Sequence, residues 1–192
     1  MDELCNFAIK HNIPVTQTVM GYSTMKKDHS HFVGPIGGLG GKAANNLAKE
    51  TDLAICIGTK LADFTTGSWA NFENPEFKLV SINIARHDAN KHLAEAVIGD
   101  AKVTLTELSN AIGDWVSADR WHKKSQVELI TWNEYVDKES GPTNQELPSY
   151  AHAVGAIYRN SDPTDIAVTA AGGLVGEVVQ VWRPKELNTH DT

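Results

Sequence analysis

Cysteine is scarce in this chain: with two in 192 residues, no disulfide framework can hold it together. Cys5 and Cys56 fall on apolar faces of a predicted helix and a predicted strand, which reads as two buried thiols of a reduced compartment. Neither has a neighbour that would make it a nucleophile. Basic clusters are missing too. Lysines pair only at Lys26-Lys27 and Lys123-Lys124, and the formal charge is −7, so nucleic acid is not the expected partner. No apolar run approaches the length of about 20 residues that a membrane helix needs. The first residues, MDELCNFAIK, are acidic and amphipathic, without the basic start and apolar middle of a signal peptide. The expected location is therefore cytoplasmic, with no membrane partner. No repeat or low-complexity tract is visible, and the remaining composition, 41% hydrophobic and 21% charged, is that of an ordinary globular protein able to bury a core.

The organising stretch is TDLAICIGTKLADFTTGSW, residues 51–69. Its apolar run 53–57 ends in Gly58 and predicts a strand buried on both faces of a parallel sheet. After the glycine come Lys60, Asp63 and the loop 65–68, with Trp69 behind it. Ligands in open α/β sheets meet the loops at the carboxyl ends of strands, so this is the expected working edge.

Around it the chain reads in order. Residues 2–10 form an amphipathic helix and residues 13–18 a short β-rich run. The chain begins inside that helix, which raises the expectation of sequence upstream. Asp28, His29 and His31 form a His-x-His in a loop, a pattern far more often plain surface than metal site. The glycine-rich GPIGGLGG, residues 34–41, opens a helix over 42–50. Such a loop can hold phosphate on backbone N–H groups, yet it lacks the P-loop register. It matches the loose dinucleotide pattern Gly38-x-Gly40-x-x-Ala43, and close packing of loop on helix explains it equally well. Strands are expected at 77–84 and 97–100, then a helix over 102–116. Residues 119–140 read as a charged surface helix, and residues 141–144 as a break. Beyond it come a helix at 145–158, a strand at 165–169, Ala170-Ala171-Gly172-Gly173-Leu174, and a last helix at 175–182. A single strand has no sheet to join, so this second unit is expected to be incomplete.

A series of landmarks then resembles the thiamine-diphosphate-dependent enzymes related to acetohydroxyacid synthase. In order they are Ile13-Pro14-Val15, Gly34-Pro35-Ile36-Gly37, Ala43-Ala44-Asn45, residues 51–58, Phe64-Thr65-Thr66-Gly67, Val80-Ser81-Ile82-Asn83 and Val97-Ile98-Gly99-Asp100. Within that family, LADFTTGSW (61–69), Asp88-Ala89-x-Lys91-His92, and AAGGLVGE (170–177) followed by Val181-Trp182-Arg183 resemble the inositol-catabolic branch.

The resemblance implies a Rossmann-like middle domain over residues 1–118, a linker with helix over 119–142, and a truncated diphosphate-binding domain over 143–192. It implies thiamine diphosphate and Mg²⁺ in the complete enzyme, with Gly172, Gly173 and Leu174 near the diphosphate and Gly176 and Glu177 as neighbours. The family's catalytic glutamate and its metal motif fall outside this chain, so no catalytic or metal-ligating residue is expected here, and Gly99-Asp100-Ala101 is not that motif. The implied activity of the whole is hydrolysis of a C–C bond in a cyclic 1,2-diketone, from a trihydroxycyclohexanedione to 5-deoxyglucuronate, with this chain inactive alone. Homo-oligomers are implied, because the family's sites form between subunits. Some relatives hold a nucleotide in the middle domain, which would engage residues 34–41, 58–63 and 83–86. The alternative is a free-standing nucleotide-binding or scaffold module of the same fold.

Overall fold

The computed structural model describes residues 2–191. It is α/β, with parallel strands flanked by helices. The first helix, α1 (Asp2–His11), leads into β1 (Val15–Gln17), which pairs in parallel with β2 (Phe32–Pro35). Helix α2 (Lys42–Glu50) follows, burying Ala43, Ala44, Leu47 and Ala48, the apolar set its spacing predicts. A three-stranded parallel sheet comes next, β3 (Leu53–Ile57), β4 (Lys78–Asn83) and β5 (Glu95–Ile98), with β4 in the centre. Short helices α3 (Asp63–Thr66) and α4 (Arg86–Ala89) lie in the two crossovers, and α5 (Ala101–Ile112) closes the unit.

Two expectations change here. β3 is not buried on both faces: it is an edge strand, and Leu53 keeps 46% of its surface. The central β4 takes the buried role, through Leu79, Ser81, Ile82 and Asn83. A continuous apolar run marks a strand but not its place in the sheet. The third strand ends earlier than expected, because the Asp100 carboxylate accepts from the Val103 N–H at 3.0 Å and caps α5 instead. Gly113, at φ 61°, ends that helix.

The longest element, α6 (Asp119–Glu139), is more than a surface helix. Its apolar residues are sparse, yet Leu129 packs on the Tyr22–Met25–Phe32 cluster and Trp121 on Val33, Ala43 and Leu47. Trp132 touches that second cluster and also the one formed by Val136, Val154, Tyr158, Val178, Val181 and Trp182. This last cluster is the core of the C-terminal residues. Helices α7 (Tyr150–Asn160) and α8 (Gly173–Val181) bury it against α6, so the core of this segment is built between helices. β6 (Ala167–Val168) pairs for two residues with β7 (His190–Asp191), a partner the polar tail does not advertise.

Helix α7 starts at Tyr150, capped by Ser149, rather than at 145. Leu147 precedes Pro148 and is steered away from helix, while the Ser149 hydroxyl and His152 form a capping box. Its inward face is Val154, Gly155 and Tyr158, leaving Tyr150 and Ile157 exposed. Gly155 lets α7 lie on the end of α6: a Cβ there would sit 2.2 Å from the Ser140 carbonyl oxygen, which also accepts from Arg159 Nη1 at 2.6 Å.

Trp132→Ala should cost about 3 kcal/mol, the usual loss on truncating a packed aromatic, and lower the urea midpoint of cooperative unfolding. Removing the cap with Ser149→Ala should cost about 1 kcal/mol in the same measurement.

Candidate functional site

Two places at carboxyl ends of strands carry the sequence candidates. The first is the edge of the β3–β4–β5 sheet. Gly58 turns the chain out of β3 at φ 64°, with its N–H on the Ile82 carbonyl at 2.9 Å. Asn83 at the end of β4 donates from Nδ2 to the Thr59 carbonyl at 3.2 Å and accepts from the Ala85 N–H at 2.9 Å. Asn83 thus ties residues 58–63 to residues 83–86. The loop 63–69 is gripped from both sides. On one side the Gly38 N–H donates to the Phe64 carbonyl at 2.7 Å; on the other, Trp69 stands edge-on to His92 at 4.6 Å. His92 Nε2 also meets the Leu61 carbonyl at 3.2 Å.

Backbone strain collects at this edge. Leu61, Ser68, Trp69, His92 and Leu93 all have positive φ without being glycine. Each such residue costs of order 1 kcal/mol, and clusters of them mark loops held for a purpose. Phe64, Ile84 and Leu93 are exposed around the same rim.

The glycine-rich loop behaves differently from a phosphate cradle. Its glycine N–H groups are already spent. Gly37 donates to Asn45 Oδ1 at 2.9 Å, Gly38 to Phe64 O, Gly40 to Gly37 O at 2.9 Å and Gly41 to Pro35 O at 2.7 Å. A Cβ on Gly37 would lie 2.2 Å from Phe64 O, and one on Gly41 would lie 2.8 Å from Trp132 Nε1. Of the two readings left open by the sequence, close packing is the one this loop adopts. Asn45 completes the lock, donating to the Gly37 carbonyl at 3.0 Å and accepting from Asn71 Nδ2 at 3.2 Å.

The second place is the turn before α8. Gly172 sits at φ 140° and enters the helix with no side-chain cap. The N–H groups of Gly172, Gly173 and Leu174 make no turn or capping bond among the described residues. A Cβ on either glycine would meet nothing within 4 Å, and Leu174 is 47% exposed. Three free donors at a helix N-terminus in open space suit an anionic group such as a diphosphate. At the carboxyl end of β6, the Thr169 hydroxyl is buried without a partner. Gly172, Gly173 and Leu174, the residues the resemblance points to, form this turn. The structure also sets Gly176 against Leu39 of the glycine-rich loop, at 3.4 Å from a Cβ built there. Sequence spacing holds no signal for that contact.

No group of three or more His, Cys, Asp or Glu able to hold a metal occurs among the described residues. His31 is not the surface residue its loop suggests: it is 6% exposed and stacked on His122 at 4.3 Å. Both cysteines are free and half-buried, and burial pushes the Cys56 thiol up to about 12, which keeps it inert at neutral pH.

The chain matches the model of a family described as "Thiamine pyrophosphate enzyme, central domain" over residues 1–108. It is also similar to proteins named 3D-(3,5/4)-trihydroxycyclohexane-1,2-dione hydrolase. The one from Geobacillus thermodenitrificans is 32% identical over 98% of this chain and 33% of that protein. Those from Clostridium perfringens and Bacillus anthracis are 33% and 34% identical, over 94% and 98% of this chain. The chain spans about a third of the length of these curated relatives. No helix among the described residues is long and apolar enough to cross a membrane. With more than half of its residues matched and a parallel α/β fold to carry them, the chain belongs to the thiamine pyrophosphate enzymes, through their central domain.

Proposed function

We propose that this chain serves a thiamine-diphosphate-dependent hydrolase that opens a cyclic 1,2-diketone, a trihydroxycyclohexanedione yielding 5-deoxyglucuronate, in inositol breakdown. The observation that carries the reading is the similarity of nearly the whole chain, at 32–34% identity, to relatives of that name. In this reading residues 1–118 are the middle domain, 119–142 the linker with its helix, and 143–192 the start of the diphosphate-binding domain. The protein works in the cytoplasm as a homo-oligomer on a small-molecule substrate.

The cofactor, held through Mg²⁺ in the complete enzyme, supplies cleavage of the bond beside the ring ketone. This chain's own part is binding. Gly172, Gly173 and Leu174 offer backbone donors to the diphosphate, and the absence of an acidic residue from the first turn of α8 leaves that helix end positive. No catalytic acid, base or metal ligand comes from this chain, so it is inactive by itself. A second role, a nucleotide held at the edge of the β3–β4–β5 sheet, is favoured by the strained loops at Leu61, Trp69 and His92. Asn83 and residues 58–63 would line it, with the glycine-rich loop as a wall rather than a phosphate cradle.

Calorimetric titration of the purified chain with thiamine diphosphate and Mg²⁺ should give no saturable heat, since one turn is too small a site. Saturable binding would overturn the placement. In a full-length relative, aspartate at the position aligned with Gly173 should raise the Kd for thiamine diphosphate about tenfold by repelling the diphosphate. The helix itself should be unharmed, because a carboxylate in the first turn suits it.

A further inference from the structure

Outside the sites described above, three imidazoles meet where the loop before β2 touches α6. His31 and His122 stack with centroids 4.3 Å apart and planes at 23°, and His29 lies 5.9 Å from His31 on the other side. We infer that His29, His31 and His122 form a proton-sensitive latch, closed while the rings are neutral, that holds α6 onto the loop before β2 and opens on acidification.

The hydrogen bonds fix how the rings are held. His31 Nε2 lies 3.2 Å from Asn12 Oδ1, and that amide is oriented by its own Nδ2, which donates to the Ser117 carbonyl and to Asp119 Oδ1, each at 3.3 Å. The ring therefore donates at Nε2, and its Nδ1 accepts from the Ser30 hydroxyl at 2.9 Å. A second proton on the ring would turn that hydroxyl from donor to acceptor. His29 Nδ1 accepts from the His31 N–H at 3.2 Å, which puts its one proton on Nε2, buried without an acceptor. His122 Nδ1 is likewise buried and unpartnered. Charge placed on this cluster would be buried, and two charged rings would face one another across the stack.

The neighbouring charges do not offset this. From α6, Asp119 is engaged with Asn12, Gln126 Nε2 donates to the Ser30 carbonyl at 2.7 Å, and Arg120 and Lys123 are exposed cations. From α1, His11 is fully buried and spent on the Trp115 carbonyl and the Ser109 hydroxyl. Within the loop, Asp28 is exposed, Lys26 pairs with Glu186 and Lys27 lies over the Tyr158 ring. Burial first, then the His122 and His29 rings, hold His31 down to about 4. Its folded value lies below its unfolded one, so the latch is fully closed above about pH 6.5 and weakens as pH falls towards 4.

The release can be read directly, because Trp121 adjoins His122 and Trp132 lies further along the same helix. Acidification of the intact chain from pH 7.5 to 4 should give a reversible change in tryptophan fluorescence and near-ultraviolet circular dichroism, with helical signal retained. His122→Phe keeps a ring in the stack but removes its proton, and should move the midpoint down by about half a pH unit or more. An unshifted midpoint, or no transition in the parent chain, would overturn the proposal. An NMR titration of the histidine ring protons in the unmodified chain needs no variant: His31 titrating near 6.5, as a solvent-exposed imidazole does, would overturn it equally.

Discussion

One indole ring joins the two halves of this molecule. Trp132 packs against Val33, Ala43 and Leu47 on one side and belongs to the α6–α7–α8 core on the other. It also fills the space where any side chain at Gly41 would go. The entry to α2, the position of the glycine-rich loop and the seating of the C-terminal helices therefore share a single side chain. Large aromatic rings suit such a post, since one residue removes much apolar surface from water while having few rotamers to lose. Around it α6 is fixed further by polar contacts, Asn46 Nδ2 to Glu128 at 2.9 Å and Lys124 to Glu50 among them.

That arrangement explains why two glycine-rich segments of similar appearance end in opposite states. Residues 34–41 are pressed between α2, α6 and the loop carrying Phe64, and their N–H groups are consumed by Asn45, Phe64, Gly37 and Pro35. The turn at Gly172-Gly173 stands clear of every neighbour and keeps its donors. The same residue type thus serves close approach in one place and leaves an open helix end in the other. Burial of the surroundings, not the glycine, decides between them.

Much of this was legible in the sequence where punctuation was local. The bounds of α2 follow from Gly41 and Thr51, and those of β3 from its apolar run ending at Gly58. The Gly172-Gly173-Leu174 turn is named by the family resemblance, since two glycines before an apolar helix read equally well as a plain tight turn. What escaped depends on distant partners. Nothing local says that β3 is an edge, that His190 and Asp191 pair with Ala167 and Val168, or that His31 is buried under a histidine 91 positions away. The inward stripe of α6 was hidden for another reason. Trp121, Leu129, Trp132 and Val136 are too widely spaced among charges to advertise a packed face, and aromatic size makes up for their number.

The close seating of α7 on the end of α6 has a practical consequence. Gly155 and Arg159 both address the Ser140 carbonyl, so the chain on either side of residues 141–148 is clamped at its base. The intervening loop does not set the geometry of the helices it connects. Closing a longer loop between fixed ends costs little, about 0.6 kcal/mol for each doubling of its length. Relatives could therefore carry insertions there, and a tag or reporter domain grafted between Pro142 and Leu147 would leave the packed helices undisturbed.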